Sequence, residues 1–366
     1  MEKEELFYKL ALSKVDGIGA IKYKKLLEEF GSAKAILKAT FRQLKLVQGL
    51  GQTNICAIRK FADFGVIEKE MEFAEKNSIQ ILDLDNLNYP TRLKQCIDPP
   101  SVLFYKGNAD LNHPKVISVI GTRMYTEYGK RICEELIDGL KPYDVLVPSG
   151  LAFGIDAIAH KACLRIDVPT VGVVAHGLDS MYPGAHLSLS KQMQQHGGLL
   201  SEYFSNTRAD KRNFPTRNRI VAGMADATVI VETDIRGGSM ITAEIAYSYN
   251  RDVFCVPGRI TDEKSNGCNH LIKTLKGQLI TSADDIANSL GWTRPKSCHV
   301  QRQLFIELTV NEQLIMDFLK SAGQMHIDEF YTKSILSSSE LAASLLSLEM
   351  QHIIRIMPGK LVTLVD

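Results

Sequence analysis

Residues 227–257, ATVIVETDIRGGSMITAEIAYSYNRDVFCVP, decide how this chain is read. ATVIVET (227–233) and VFCVP (253–257) are short apolar runs rich in β-branched residues. Between them lie a glycine loop and a helical pattern over 239–250 that Ser239 opens. Strand, loop, helix and strand in that order make a βαβ unit. Both runs are apolar throughout and do not alternate, so both faces of their sheet must be covered, as in a parallel sheet with helices on either side.

The same grammar extends upstream. VISVI (116–120), VLVP (145–148), TVGVVA (170–175) and LLSE (199–202) are further strand candidates, separated by helical patterns over 126–140, 154–165 and 186–196. The expected fold class is α/β, a Rossmann-like doubly wound parallel sheet over residues 81–290. Tyr89-Pro90, Pro99-Pro100 and His113-Pro114 mark 81–115 as a connector leading into it. Residues 1–80 are expected to form an all-α domain. In it the pattern h-x-G-h-G occurs twice, at Val15–Gly19 and Val47–Gly51, each time running into a helix. This resembles the helix-hairpin-helix of SAM-like domains, whose exposed backbone N–H groups can grip a phosphate; ordinary packed hairpins are the other reading. Polar residues 291–305 are expected to be a linker. Residues 306–366, helices followed by two strands about Pro358-Gly359, are expected to be winged-helix-like.

The chain has 366 residues, with 43 Lys and Arg against 42 Asp and Glu, so any nucleic-acid surface must come from local clustering. No apolar run reaches the roughly 18 residues of a membrane span, and the charged start MEKEELFYKL lacks the apolar centre of a signal peptide. The seven cysteines are odd in number with no C-x-x-C pair, which argues against a disulfide framework and a zinc site. The expectation is a cytoplasmic protein with reduced thiols and no membrane partner.

No dinucleotide fingerprint, P-loop, zincin motif or nucleophile elbow is present. A doubly wound sheet still binds ligands beyond the carboxyl ends of its strands. Three such ends carry glycine loops: GTRMYTEYGK (121–130), SGLAFGIDAIAH (149–160) and RGGSMITAEIA (236–246). Each is read as a helix N-terminus that can meet an anion. Beside them RADKRNFPTRNR (208–219) sets Arg208, Lys211, Arg212, Arg217 and Arg219 around Phe214, with Asp210 the one acid. Cations around a ring suit single-stranded nucleic acid, whose phosphates they neutralise and whose bases stack for roughly 1–3 kcal/mol each. Duplex DNA offers no free base to such a ring. Asp156, His160, Glu202 and Glu244 are not paired at a spacing that names a reaction, so no catalytic and no metal residue is assigned.

The runs GTRMYTEYG, SGLAFGIDAIAH, HGLDSMYP, LLSEY, FPTRNRIVAG, GGSMITAEIA, FCVPG and GCNHLI, in this order, resemble the DNA-processing protein A (DprA/Smf) family. The resemblance implies single-stranded DNA binding, a homodimer made through the Rossmann-like domain, and loading of the RecA recombinase during natural transformation. It also implies no cofactor and no known catalysis. It assigns DNA contact to Arg123, Lys211, Phe214, Arg217, Asn218 and Arg219, with Gly238 and Ser239 in the loop that approaches the backbone. His176, Gly237 and Cys268 depart from the family pattern. The alternative class is a Rossmann-like nucleotide or nucleoside-phosphate hydrolase; five cations in one loop favour a polymer over a mononucleotide. In the C-terminal module, SSSELAASLLSLEMQ (337–351) has no Lys or Arg, which points to protein contact and away from a DNA groove.

Overall fold

Side chains of the apolar strands alternate between two helical layers, which is why the runs had to be apolar throughout. In β3 (Ile117–Ile120), Ile117 and Val119 join one core and Ile120 the other. In β7 (Ala227–Ile230), Ala227 and Val229 face one way and Ile230 the other. One layer contains helices Glu127–Leu140, Ile155–Arg165 and Ala283–Ser289, the opposite layer helices Asn213–Gly223, Gly238–Ser248 and Asn266–Lys273. The computed structural model describes residues 2–293, 308–351, 353–357 and 359–364. It divides into units Met1–Pro295 and Lys296–Asp366.

The remaining strands of the first unit are β1 (Gln80–Asp83), β2 (Val102–Gly107), β4 (Val147–Ser149), β5 (Thr170–Val174), β6 (Gly197–Ser201), β8 (Asp252–Cys255) and β9 (Gln278–Leu279). They form sheets of order β1-β2-β6-β5-β4 and β3-β7-β8-β9. A single parallel bridge, Val116 to Leu146, joins β4 to β3 at the sheet edges. The chain leaves β3 toward β4 on one side and returns from β6 to β7 on the other, so the strand order reverses between β3 and β7. The stretch expected as a connector is in part sheet: β1 pairs antiparallel with β2, and β2 antiparallel with β6. The sheet is therefore mixed, with an antiparallel edge.

The N-terminal residues form six helices, and their core, with Tyr23, Leu26, Ile36 and Ile55, is continuous with Leu82 and Leu103 of β1 and β2. Gly17 and Gly49 adopt positive φ (76° and 87°) at the two hairpin turns. The second hairpin braces the first: Asn54 Nδ2 donates to Gly17 O at 3.1 Å, and Lys22 Nζ to Asn54 Oδ1 at 2.9 Å. The expected linker lies outside the described residues from position 294 onward. The second unit has helices Val310–Ala322, Ile327–Lys333 and Ser338–Met350. Its strands β10 (Gln324–His326), β11 (Ile354–Met357) and β12 (Leu361–Leu364) are ordered β10-β12-β11 around Leu319, Phe330, Leu345 and Val362. Among the described residues no helix is long and apolar enough to cross a membrane.

One internal ion fixes the entrance to the sheet's carboxyl edge. The buried Glu232, just past β7, accepts from Thr126 N at 2.9 Å and from the Thr126 hydroxyl. It thereby places a carboxylate on the N-terminus of helix Glu127–Leu140. Gly129 makes room for it: a Cβ there would lie 2.2 Å from Glu232 Oε2. Replacing helical glycine by alanine ordinarily stabilises by about 1 kcal/mol. Here Gly129→Ala is expected to destabilise by about 1–3 kcal/mol through overpacking, read as a lower midpoint in chemical denaturation. A raised midpoint would contradict this packing.

Candidate nucleic-acid interface

A cleft of about 610 Å³ opens where the strand order reverses, beyond the carboxyl ends of β3, β4 and β7. Arg123, Lys211, Phe214, Arg217, Asn218, Gly238 and Ser239 all line it, drawn from three separate segments. Arg219 does not. Its guanidinium donates to Glu202 and to the carbonyl of Asp98 and borders a different groove, beside Lys22 and Tyr249.

The basic segment 208–219 is not all loop. From Asn213 it is helix Asn213–Gly223, the crossover from β6 to β7. Pro215 is tolerated because it lies in the first turn, where its missing N–H costs no hydrogen bond. Helical spacing then sorts the cations. Arg217 points inward and is 4% exposed, donating to the carbonyls of Gly150 and Val173. Burial lowers its pKa to about 10, an effect opposed by the facing carboxylate of Asp156. It remains charged at neutral pH, with Nη1 committed to the two carbonyls and Nε donating to Asn218 Oδ1 at 3.2 Å. Lys211 and Arg123 are exposed at the cleft, whereas Arg208 and Arg212 are exposed outside its lining. Of the segment's five cations only Lys211 is left exposed at the cleft and Arg217 is built into its wall; Arg123 joins them from the loop after β3.

Phe214 is half-buried. The Arg123 guanidinium carbon lies 5.5 Å from its ring centroid and that of Arg217 6.0 Å. Tyr182 is 6.0 Å away at an interplanar angle of 48°. Tyr182 and Lys264, which also lines the cleft, were not among the sequence assignments. Tyr182 lies in HGLDSMYP, one of the runs that carried the resemblance, and only the fold reveals its approach to Phe214.

Of the three helix N-termini expected to receive an anion, two are already supplied by the protein. The N-terminus after β3 has Thr126 and Glu232; after β4, Ile155 N of helix Ile155–Arg165 donates to Thr122 O at 3.2 Å, and Asp156 in its first turn accepts from Ala152 N at 3.4 Å. Helix Gly238–Ser248 has Gly237 at its N-cap and no side-chain cap. Its first residue, Gly238, is exposed at the cleft, so its amides are the ones left for a ligand. Gly237 has no space for a side chain, since a Cβ would meet Thr233 Oγ1 at 2.4 Å. Cys268 is a core residue. The His176 ring, 1% exposed, spans its own loop: Nδ1 lies 2.8 Å from Gly177 O, and Nε2 accepts from Tyr182 N at 3.1 Å.

The other acids and histidine that drew notice are internally engaged. Burial pushes the His160 imidazole down to about 3, and Nδ1 lies 2.6 Å from the Thr170 hydroxyl. Burial raises Asp156 and Glu202, the second beside Arg219. Glu244 pairs with Lys276 at 2.8 Å.

Geometry and comparison with known proteins agree on the class: a protein with a Rossmann-like mixed α/β domain. Residues 80–291 match the model of the family described as DNA recombination-mediator protein A. The chain is 34% identical to protein Smf of Synechocystis over 299 residues, covering 80% of this chain and 74% of that protein. It is 40% identical to the DNA processing protein DprA of Streptococcus pneumoniae over 215 residues, 59% and 74% of the two chains. The solved structure of the S. pneumoniae DprA superposes with a TM-score of 0.67 at 32% identity, over 77% of this chain and 97% of that one. The DNA processing protein A of Helicobacter pylori, solved to describe its single-stranded DNA binding mode, gives 0.54 at 29% identity, over 59% and 97%. The chain belongs to the DNA recombination-mediator protein A family.

The sorting of cations is testable by stability. Arg219→Ala leaves the largely buried Glu202 carboxylate without its partner and is expected to cost about 3 kcal/mol. Arg123→Ala, at an exposed position, should change stability by less than about 0.5 kcal/mol. Chemical denaturation of the two variants beside wild type measures both; equal losses would contradict the assignment.

Proposed function

We propose that this chain binds single-stranded DNA in the cleft between β3 and β7, without catalysis or cofactor, and presents it to the RecA recombinase during natural transformation. The observation that carries the reading is the grouping of exposed Arg123 and Lys211, a half-exposed aromatic ring and an uncapped helix N-terminus in one cleft. Cations and amides take the phosphates, and the rings take a base. The H. pylori relative, described by its single-stranded DNA binding mode, supports the choice of ligand. The site residues are Arg123, Lys211, Phe214, Asn218, Gly238 and Ser239, with Arg217 as the internal support of the wall. Arg219 holds the far side of the helix.

The protein acts as a homodimer in the cytoplasm. Ile235, Ile241 and Tyr247, about half-exposed on and beside helix Gly238–Ser248, supply an apolar face on the Rossmann-like domain for the second copy. The first 80 residues serve as a helix-hairpin-helix domain and residues 81–290 as the DNA-binding domain. Beyond the linker at 291–305, residues 306–366 serve as a winged-helix domain directed at protein.

Salt titration of oligo(dT) binding by fluorescence polarisation tests this. Two phosphate contacts on a single strand contribute about 1.4 to the slope of log K against log salt. Lys211→Ala with Arg123→Ala should flatten the slope by about that amount and weaken binding at all salts. Phe214→Ala should weaken binding and leave the slope unchanged. Wild-type affinity that is equal for duplex and single strand, or turnover of a nucleoside phosphate by the pure protein, would overturn the proposal.

A further inference from the structure

The two rings in the cleft are not equivalent. Phe214 is half-buried, and guanidinium groups of Arg123 and Arg217 lie within 6.0 Å of its centroid. Tyr182 is 52% exposed. Centroids 6.0 Å apart at 48° leave no parallel slot between the rings, since a base needs about 3.4 Å of separation from each ring to stack between two. A base must therefore stack from outside, and the freer ring is Tyr182. Resting on the single-stranded DNA reading above, we propose that Tyr182 is the base-stacking platform of the site, with Phe214 as the ring that backs it.

The loop that carries Tyr182 is held before any ligand arrives. The buried His176 ring accepts the backbone N–H of Tyr182. Ser201 Oγ donates to His176 O at 2.6 Å, and Gly177 N to Thr207 O at 3.0 Å, tying the loop to the end of β6 and the segment beyond it. Asn213 Nδ2 donates to Ala175 O at 3.2 Å, joining the start of the Phe214 helix to the start of the Tyr182 loop. The two ring-bearing segments are thus tied to each other by hydrogen bonds, which lowers the ordering cost left for binding. Stacking on an aromatic ring is indifferent to base identity because every base has a π face, which suits a site that takes any sequence.

The experiment compares Tyr182→Ala and Tyr182→Phe with wild type on oligo(dT) and on an abasic deoxyribose-phosphate oligomer of equal length, by polarisation across salt. Tyr182→Ala should lose about five- to hundredfold in affinity for oligo(dT), with an unchanged salt slope. It should bind the abasic oligomer as wild type does, which also shows the variant is folded. Tyr182→Phe should retain wild-type affinity for both. Equal weakening toward the abasic oligomer, or no loss on oligo(dT) while wild type binds it well, overturns the platform. Failure of wild type to bind oligo(dT) at all overturns the function on which the platform rests.

Discussion

The internal guanidinium of Arg217 is the contact on which the cleft depends. It reaches from helix Asn213–Gly223 to the carbonyls of Gly150 and Val173 at the ends of β4 and β5, opposite the Asp156 carboxylate. Gly150 leaves space for this: a Cβ would lie 2.6 Å from Asp156 Oδ2 and 2.8 Å from Arg217 Nη1. A helix that crosses from β6 to β7 is thereby pinned to two strands it passes over. Charge-assisted hydrogen bonds in a buried setting contribute about 1.5–3 kcal/mol each. The pinning sets the height of Phe214 and Lys211 above the sheet edge and holds them opposite Arg123.

Electrostatics at this edge follow a division between internal and external anions. Glu232 satisfies the helix end after β3, Thr122 O takes the first amide of helix Ile155–Arg165 and Asp156 an amide of the loop before it, which removes those amides from competition for a ligand. The remaining N-terminus, at Gly238 and Ser239, faces the cleft with Lys211, Arg123 and Lys264 around it. The protein thus binds its own carboxylates beside β3 and β4 and leaves its exposed cations at the mouth of the cleft. A net charge of +1 is compatible with this, because the field is local.

The βαβ core was legible because burial on both faces writes itself as unbroken apolar runs: strand 227–230 lies inside the first run noticed, and strand 252–255 overlaps the second, starting one residue before it. The strands at 80–83 and 102–107 were hidden beside prolines at 90, 99, 100 and 114, which lie in the connections between and after them and not within the strands. Residues 213–219 of helix 213–223 were read as part of a loop because NFPTRNRIVAG begins with a polar turn and carries a proline. That same helical twist separates Arg219 from Arg217 and Asn218, which linear clustering could not show. Tyr182 was invisible for a related reason: residues 182 and 214 meet only through the ends of β5 and β6. A motif names the residue types; the direction in which each points is a property of the assembled fold.

The most direct measurement is photo-crosslinking of the intact protein to an oligo(dT) carrying 5-iododeoxyuridine, with adducts located by mass spectrometry. Adducts on the peptides bearing Tyr182 and Phe214 are predicted. Adducts confined to the helical hairpins around 15–22 and 47–54, or to residues 310–351, would contradict a binding site at the sheet's carboxyl edge.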